Sequence, residues 1–294
     1  MKYTVKDATT YRDQIDILKS RNMIVPNDHI AEKVLKRVNY YRLSAYMLTL
    51  KSEDRFFDGV TFEDVYHIYE FDKKLRNMIL EVLEGIEVAF RTHIAYELAH
   101  KYGPLGYKES FNFYSHEYHR EMISFIENDI GNRKDELFVK HHLEKYRGDF
   151  PVWVVIEVMS FGQLSKMFNN LKNEDKRIIS SKYYSLSFIL IQNWLYVFSG
   201  IRNICAHYGR LYNRTLKIKP VIERTVQGKF RDNRIFAVLY AIGRICLNHS
   251  EFRSFITNLK GLIEEYSNVS IEMLGFPNDW EEILRSLQQQ ESRP

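Results

Sequence analysis

The residues with the clearest chemical potential lie in one stretch, SGIRNICAHYGRLYNR, which runs from Ser199 to Arg214. Its polar residues Arg202, Asn203 and His207 interrupt an otherwise apolar and aromatic segment. An imidazole with a pKa of about 6.5 can take the proton of a ribose 2′-hydroxyl, or protonate a leaving oxygen, near neutral pH. An arginine fork can hold phosphate oxygens as charge builds on them, and an asparagine can orient the imidazole or bind the phosphate. These residue types could support RNA cleavage without a metal.

The same stretch has the periodicity of an amphipathic helix, which we expect to run from about Leu186 to Leu211. Apolar residues spaced by four and three positions define one stripe: Val197, Ile201, Ile204, Tyr208 and Leu211. At about 100° per residue, the opposite side carries Asn203, His207 and Arg210, with Arg202 on its flank and with Ser199, Gly200 and Ala206 as small neighbours. That face would accept a second helix or a phosphate backbone. One chain offers one such histidine, whereas in-line transfer needs an acid and a base, so a symmetric dimer is expected to supply the second set.

A second pair with the same spacing, Arg244 and His249 in RICLNH, shows that the bare Arg-x4-His pattern is weak evidence. A chain of this size and composition is expected to contain about one such match by chance. The second pair has Ile245 where the first has Asn203, and it ends an apolar helix, where cationic side chains commonly bind carbonyls. We predict that Arg244 and His249 are structural.

Other polar groups have two interpretations each. Glu87 and Arg91 lie one helical turn apart and are expected to form an ion pair, although Glu87 could instead orient His207. The group Tyr40–Arg42 could stack on bases or pack between helices. The mixed-charge runs FDKKLRN and LKNEDKR are typical of solvated helix faces.

No metal and no cofactor is expected. The histidine pairs His116 with His119 and His141 with His142 have possible ligand spacings, but no cysteine or further clustered ligand completes a site. The two cysteines of the chain, Cys205 and Cys246, lie in apolar runs, which predicts buried free thiols in a reducing cytosol.

Composition favours helix. Hydrophobic residues make up 45% of the 294 residues and aromatic residues 14%, with only 13 Gly and 6 Pro, which argues against disorder and against a turn-rich β fold. A net charge of +4 permits an anionic partner such as nucleic acid without requiring one. The first residues lack the apolar core of a leader peptide, and no apolar run is long enough for a bilayer, so we expect a cytoplasmic protein without membrane contact.

The predicted helices divide the chain into an N-terminal helical hairpin, residues 1–55, and a larger helical bundle, residues 56–294. A capping box of Thr61 and Asp64 is expected to begin a long helix that Gly103 and Pro104 end. The remaining expected helices cover residues 11–22, 28–50, 232–249, 250–266 and 278–288 and begin near His116, Asp135 and Pro151.

The motif segment RNICAHYGRLYNR resembles the signature of the Abi-like (abortive infection, AbiD/AbiF type) proteins, a branch of the HEPN superfamily with the hallmark R-x4-6-H. The likeness extends over roughly residues 10 to 270. Further segments appear in the same order: VNYYRLSAY, TFEDVYHIYEFDKKLRNMI, GIEVAFRTHIAYELAHKYG and PVWVVIEVMSFGQLSKMF. Several collinear segments are far more specific than one short motif.

The resemblance implies an all-α, HEPN-type bundle and a bacterial anti-phage or toxin-like endoribonuclease that is metal-independent and homodimeric. It makes Arg202 and His207 the catalytic pair and Asn203 the polar residue that follows the arginine. Arg210 and Asn213 take the downstream polar positions, and with Arg214 they are candidate RNA-binding residues. In some members a neighbouring non-coding RNA restrains the protein. Two alternatives stay open: an RNA-binding HEPN module that does not cleave, and a helix-turn-helix regulator that binds DNA.

Overall fold

A computed structural model describes residues 7–287 of the chain. Those residues form thirteen α-helices: α1 Tyr11–Ser20, α2 Asp28–Leu35, α3 Tyr40–Ser44, α4 Phe62–Tyr102, α5 His116–Asn132, α6 Leu137–Lys145, α7 Val152–Val158, α8 Phe161–Asn170, α9 Asn173–Tyr184, α10 Phe188–Ala206, α11 Ile235–Ile245, α12 His249–Glu265 and α13 Trp280–Ser286. Two short strands, β1 Lys51–Ser52 and β2 Arg55–Phe56, pair antiparallel with Lys51 opposite Phe56. The predicted all-α class is confirmed.

The long helix α4 is the central element of the bundle, with contacts to α7, α9, α10 and α12. Its 41 residues span about 60 Å. The side chain of Thr61 accepts from the Asp64 backbone N–H while the Asp64 carboxylate accepts from the Thr61 N–H, which is the predicted capping box. At the other end Gly103 adopts a φ of +81°, which a side chain would strain, and α4 stops there as predicted.

One continuous hydrophobic core runs under α4 and α10. Seven apolar residues of α4 recur at the spacing of one helical face, and all of them are buried: Val65, Ile68, Leu75, Ile79, Val82, Ile86 and Leu98. Helix α10 packs on α4 and α8 through fully buried side chains that include Trp194, Leu195 and Phe198. The Trp194 indole N–H donates to the Val221 carbonyl at 2.9 Å, so this large ring is buried without losing its hydrogen bond.

The N-terminal region departs from the prediction of one helix over residues 28–50. Asn27 caps α2 by accepting the Ile30 N–H at 3.1 Å, and α2 ends at Leu35. Asn39 then accepts the Tyr41 N–H at 2.8 Å and begins the separate helix α3, because an asparagine side chain competes with helix continuation and favours a new cap. The expected division between residues 1–55 and 56–294 falls inside β2, and it stays a prediction.

The two mixed-charge runs are solvated only in part, so the expectation of solvated helix faces is wrong for two charged residues of each run. In FDKKLRN, Asp72 and Arg76 are 0% and 3% exposed, and in LKNEDKR, Asp175 and Lys176 are 3% and 5% exposed. Each run buries its charged residues at the positions that helical periodicity turns inward, and solvates the charged residues between them. Buried charges of this kind must be paired, and Asp72 and Arg76 form such a pair.

The remaining helices begin within about three residues of the predicted positions. Helices α5, α6 and α7 begin at His116, Leu137 and Val152, and α11 to α13 occupy most of the three predicted C-terminal segments. Helices α8 and α9 have no predicted counterpart of their own. Residue 288 of the last predicted segment lies outside the described residues.

Candidate functional site

The motif helix α10 ends at Ala206, five residues before the predicted end at Leu211. His207 is the C-cap, and Tyr208 follows in the left-handed region with a φ of +59°. The Tyr208 N–H donates to the Cys205 carbonyl at 3.0 Å and the Gly209 N–H to the Ile204 carbonyl at 2.7 Å, which is the hydrogen-bond pattern of a Schellman motif. The prediction failed here because the left-handed residue is a tyrosine, although glycine is next in the sequence.

The early end of α10 splits the predicted stripes. Val197 and Ile201 are buried as expected, but Tyr208 is 68% exposed and so is not part of an apolar face. Asn203 and His207 are both exposed and lie on one side of the helix, about 40° apart. Arg210 does not join them on a helical face, because the chain has left the helix before it.

The small residues beside this face also differ from the expectation. Ser199 is 6% exposed, and its hydroxyl donates to the Tyr196 carbonyl at 2.9 Å, so it faces the bundle. Gly200 is exposed, and a Cβ added to it would meet no atom within 4 Å. Gly200 and the partly exposed Ala206 therefore leave an open surface beside Asn203 and His207.

Arg202 is positioned by the long helix α4. Its side chain is 43% exposed, and its Nε lies 3.9 Å from Glu87 Oε2. Glu87 is largely buried, and its other carboxylate oxygen pairs with Arg91 at 2.5 Å. Arg91 in turn donates to the carbonyls of Ile156 and Met159. The predicted Glu87–Arg91 pair is confirmed, and the glutamate contacts the motif arginine rather than orienting His207.

A buried carboxylate on α4, Asp72, fixes the loop that follows His207. Its Oδ1 accepts the Tyr212 N–H at 2.7 Å and the Leu211 N–H at 3.1 Å, while Oδ2 accepts the Tyr46 hydroxyl at 2.7 Å and pairs with Arg76. Burial raises the pKa of Asp72, and the Arg76 charge and these donors oppose that rise. Asp72 is not among the site residues predicted from the sequence.

A signal for Asp72 exists in the sequence. It lies four residues after Ile68 and three before Leu75, both on the apolar stripe of α4, and Arg76 follows one turn later. A carboxylate on an apolar stripe with an arginine one turn away predicts a buried ion pair rather than a solvated face.

The three candidate RNA-binding residues help to hold this loop in place. Arg210 donates to the Tyr212 carbonyl, and Arg214 Nε donates to the Arg210 carbonyl. Asn213 adopts a φ of +52°, and its side-chain oxygen accepts from Arg234 at 3.1 Å. All three side chains are partly exposed, and burial lowers the pKa of Arg210. Their contact with RNA stays a prediction.

The short helix α3 is anchored against the end of the motif helix. Arg42 donates to the Tyr208 carbonyl at 2.7 Å. The neighbouring Tyr41 is 85% exposed, whereas Tyr40 packs partly against the core. Of the two interpretations of this aromatic group, packing therefore applies to Tyr40, and Tyr41 is open to solvent.

The motif cysteine is not a reactive group. Cys205 is a buried free thiol, as predicted for it and for Cys246. Burial raises the pKa of Cys205 to about 12, so the thiol stays protonated and unreactive at neutral pH. Among the polar groups of this helix end, the exposed imidazole of His207 is the one suited to proton transfer.

The second Arg-x4-His pair has different surroundings. The Arg244 guanidinium donates to both carboxylate oxygens of Glu223, at 2.7 Å and 3.0 Å, and the Tyr240 hydroxyl donates to the same carboxylate at 2.8 Å. His249 is the first residue of α12. This arginine is a structural group, as predicted.

In each of the two histidine pairs, one ring is engaged by a backbone carbonyl. His119 is buried and its ring bonds the Tyr107 carbonyl at 2.9 Å, while His142 bonds the Phe138 carbonyl at 2.8 Å. Within residues 7–287, no three His, Cys, Asp or Glu side chains cluster as metal ligands.

Comparison with known proteins gives one match. A model of the Abi-like protein family matches residues 33–213, which is more than half of the chain and includes Arg202, Asn203, His207, Arg210 and Asn213. No curated protein and no solved structure matches the chain.

Across the described residues, none of the helices combines the length and apolar character that a bilayer span requires.

Proposed function

The chain belongs to the Abi-like protein family, and we propose that it acts in abortive infection as a metal-independent endoribonuclease of the HEPN type. Family membership indicates the defence role, and the motif residues supply the chemistry. One observation carries the proposal: Asn203 and His207 are exposed on an open helix face that holds no carboxylate, beside an arginine held by the largely buried Glu87. The segment from Ser199 to Arg214 contains three arginines and no acidic residue, which suits a phosphate backbone.

The proposed reaction is an internal transfer at one phosphate. The ribose 2′-oxygen loses its proton to a histidine and bonds to phosphorus, while the bond to the 5′-oxygen breaks and that oxygen takes a proton. Arg202 holds the non-bridging oxygens as their charge increases, and Asn203 hydrogen-bonds the phosphate or the imidazole. The products carry a 2′,3′-cyclic phosphate and a 5′-hydroxyl.

The end groups of the products test this reaction. Purified protein is incubated with RNA, with and without EDTA, and the ends are identified by mass spectrometry. We expect cyclic phosphate ends, no inhibition by EDTA, and loss of cleavage in Arg202→Ala. Products with a 3′-hydroxyl, or strict dependence on magnesium, would contradict the mechanism.

A homodimer supplies the second histidine in this proposal. The interface includes the surface around Gly200, where a helix of a second copy can approach closely. Facing arginines repel each other, so bound RNA or another anion is expected to favour the dimer.

Gly200→Leu tests the dimer, since the leucine meets open space within one chain but blocks a close partner. We expect a folded monomer that does not cleave RNA, measured by sedimentation and by an RNA assay. Gly261→Leu on α12 is the matched control, because Gly261 is also helical, exposed and free of neighbours within 4 Å. A Gly200→Leu protein that stays dimeric and active would exclude this interface.

The proposed partner besides the substrate is a non-coding RNA that restrains the enzyme. Sequencing the RNA that copurifies with the protein expressed from its native locus tests this. A bound RNA without any cleavage would instead support the RNA-binding module.

A further inference from the structure

A groove of about 500 Å³ lies between α5, α8 and α10, outside the motif segment. Its walls include three aromatic side chains, Tyr118 and Phe125 from α5 and Tyr196 from α10. These side chains are 59%, 45% and 52% exposed. Aromatic rings that keep about half of their surface in water, around a concave space, form a surface on which planar apolar groups can stack.

The polar groups of the groove suit the edge of a base. Asn169 is exposed, and its side chain makes no hydrogen bond to any other described residue, so both its donor and its acceptor are open. Gln192 accepts from Lys176 at 3.4 Å and keeps its amide donors. Amides that offer a donor and an acceptor together match the edges of nucleobases.

The charges of the groove fit one nucleotide rather than several phosphates. Lys166 forms no ion pair with any residue in 7–287 and lies 5.8 Å from the Phe125 ring centroid, so it can meet one phosphate. Glu121 is the carboxylate of the lining, and it disfavours further anions while accepting from the amino group of a base.

The groove and the motif share the helix α10. Tyr196 lies 11 residues before His207, which places the two on one side of the helix, about 20° apart and about 16 Å apart along the axis. A second connection runs through α4, since Arg202 lies 3.9 Å from Glu87, Glu87 pairs with Arg91, and Arg91 donates to the carbonyl of the groove residue Met159. Because the separation along α10 is short, a strand of RNA bound at the motif can reach the groove within a few nucleotides.

We propose that this groove is a subsite for one unstacked base of single-stranded RNA near the scissile phosphate. It rests on the proposed function, and it adds that the substrate is single-stranded and is selected by base identity at one position. Tyr118 and Tyr196 stack the base, Asn169 reads its edge, and Lys166 holds a neighbouring phosphate.

Crosslinking tests the location of the base. His207→Ala protein, intact otherwise, is irradiated with short single-stranded RNAs that carry 4-thiouridine at one position, and the modified peptides are identified by mass spectrometry. We expect groove residues of α5, α8 or α10 to be modified only when the 4-thiouridine stands at one or two particular positions of the RNA. Crosslinks confined to other surfaces of the protein would overturn the subsite. A second protein that copurifies and occupies the groove would also overturn it.

Cleavage by Tyr196→Ala tests selectivity. Cleaved sites in a mixed RNA pool are sequenced for wild type, Tyr196→Ala, Tyr196→Phe and Asn169→Ala. The control is Tyr96→Ala, which removes a ring of similar exposure, 49%, on α4. We expect the preference at one position to fall about tenfold in the two groove variants, to persist in Tyr196→Phe, and to be unchanged in Tyr96→Ala.

The two experiments separate this subsite from the proposed function. Cleavage that needs His207 but keeps its preference in Tyr196→Ala and Asn169→Ala overturns the subsite alone. Crosslinks in the groove from a wild-type protein that cleaves no RNA overturn the enzyme and leave the base site. If neither a groove crosslink nor RNA cleavage is found, both the subsite and the proposed function are overturned.

Discussion

Arg202 with His207 and Arg244 with His249 share one spacing, yet the two arginines have different surroundings. Arg244 is satisfied inside the fold by both oxygens of Glu223, with Tyr240 on the same carboxylate. Among residues 7–287, Arg202 forms one ion pair, at 3.9 Å, and its side chain is 43% exposed beside the exposed His207. An arginine engaged by both oxygens of a carboxylate is not available for a phosphate, whereas one that a single carboxylate oxygen positions at an open face is available. The environment, not the spacing, distinguishes a candidate site from a structural pair.

The largest stability effect is expected where the functional region itself depends on a buried ion pair. Asp72→Ala removes the acceptor of the loop after His207 and leaves Arg76 buried without its partner, which costs about 3–5 kcal/mol. Urea denaturation of the wild type and the variant measures this loss in the free energy of unfolding. Glu70→Ala on the same helix is the control, because its pair with the half-exposed Lys73 contributes at most about 1 kcal/mol. Equal effects of the two variants would show that Asp72 does not fix the loop.

A smaller effect is expected in the structural pair. Arg244→Met breaks the Glu223 contact and should lower the free energy of unfolding by about 2 kcal/mol while RNA cleavage persists. Burial acts to raise the pKa of Glu223, but the hydrogen bonds from Arg244 and Tyr240 outweigh it and hold that pKa below its usual value. A carboxylate with a lowered folded pKa stabilises above its unfolded pKa of about 4.3 and loses that contribution as pH falls through the folded value.

The difference in stability between wild type and Arg244→Met should therefore be full near neutral pH and shrink below about pH 4. Denaturation at a series of pH values measures it. A difference that does not change with pH would mean that the lost contribution is packing rather than the ion pair.

The sequence predicted much of this fold, because helical periodicity and caps are local signals. The seven buried positions of α4, its capping box and its stop at Gly103 follow from residues within a few positions of one another. The split at Asn39 and the buried Asp72 were missed for different reasons. Asn39 is a local cap inside an apolar pattern. Asp72 has a local partner in Arg76, but the contacts that give it its role, with Tyr46 and Tyr212, are distant in sequence.

The sequence predicted which residues form the candidate site, but not the backbone conformation and the contacts that position them. The motif gave Arg202, Asn203 and His207, but the end of α10 depends on a tyrosine in a conformation that glycine favours. The contact of Glu87 with Arg202 and the groove at Tyr196 arise from helices that are distant in the chain, so no pattern within α10 indicates them.

The smallest effect is expected at the residue that ends the motif helix. Tyr208→Gly relieves the left-handed backbone at φ +59° and should stabilise the fold by about 1 kcal/mol, measured by thermal unfolding. The second pair has no such residue, since Cys246 ends α11 with an extended backbone. A destabilised Tyr208→Gly protein would show that the ring makes contacts worth more than the strain.

The most direct test of the central claim compares His207→Ala with His249→Ala in one RNA cleavage assay, with the unfolding temperature of each variant measured alongside. The difference in environment predicts that His207→Ala loses at least about a hundredfold in rate and unfolds near the wild-type temperature. His249→Ala should keep its rate within about twofold. Equal loss of activity in both variants while both stay folded, or full activity in His207→Ala, would contradict the assignment of the site.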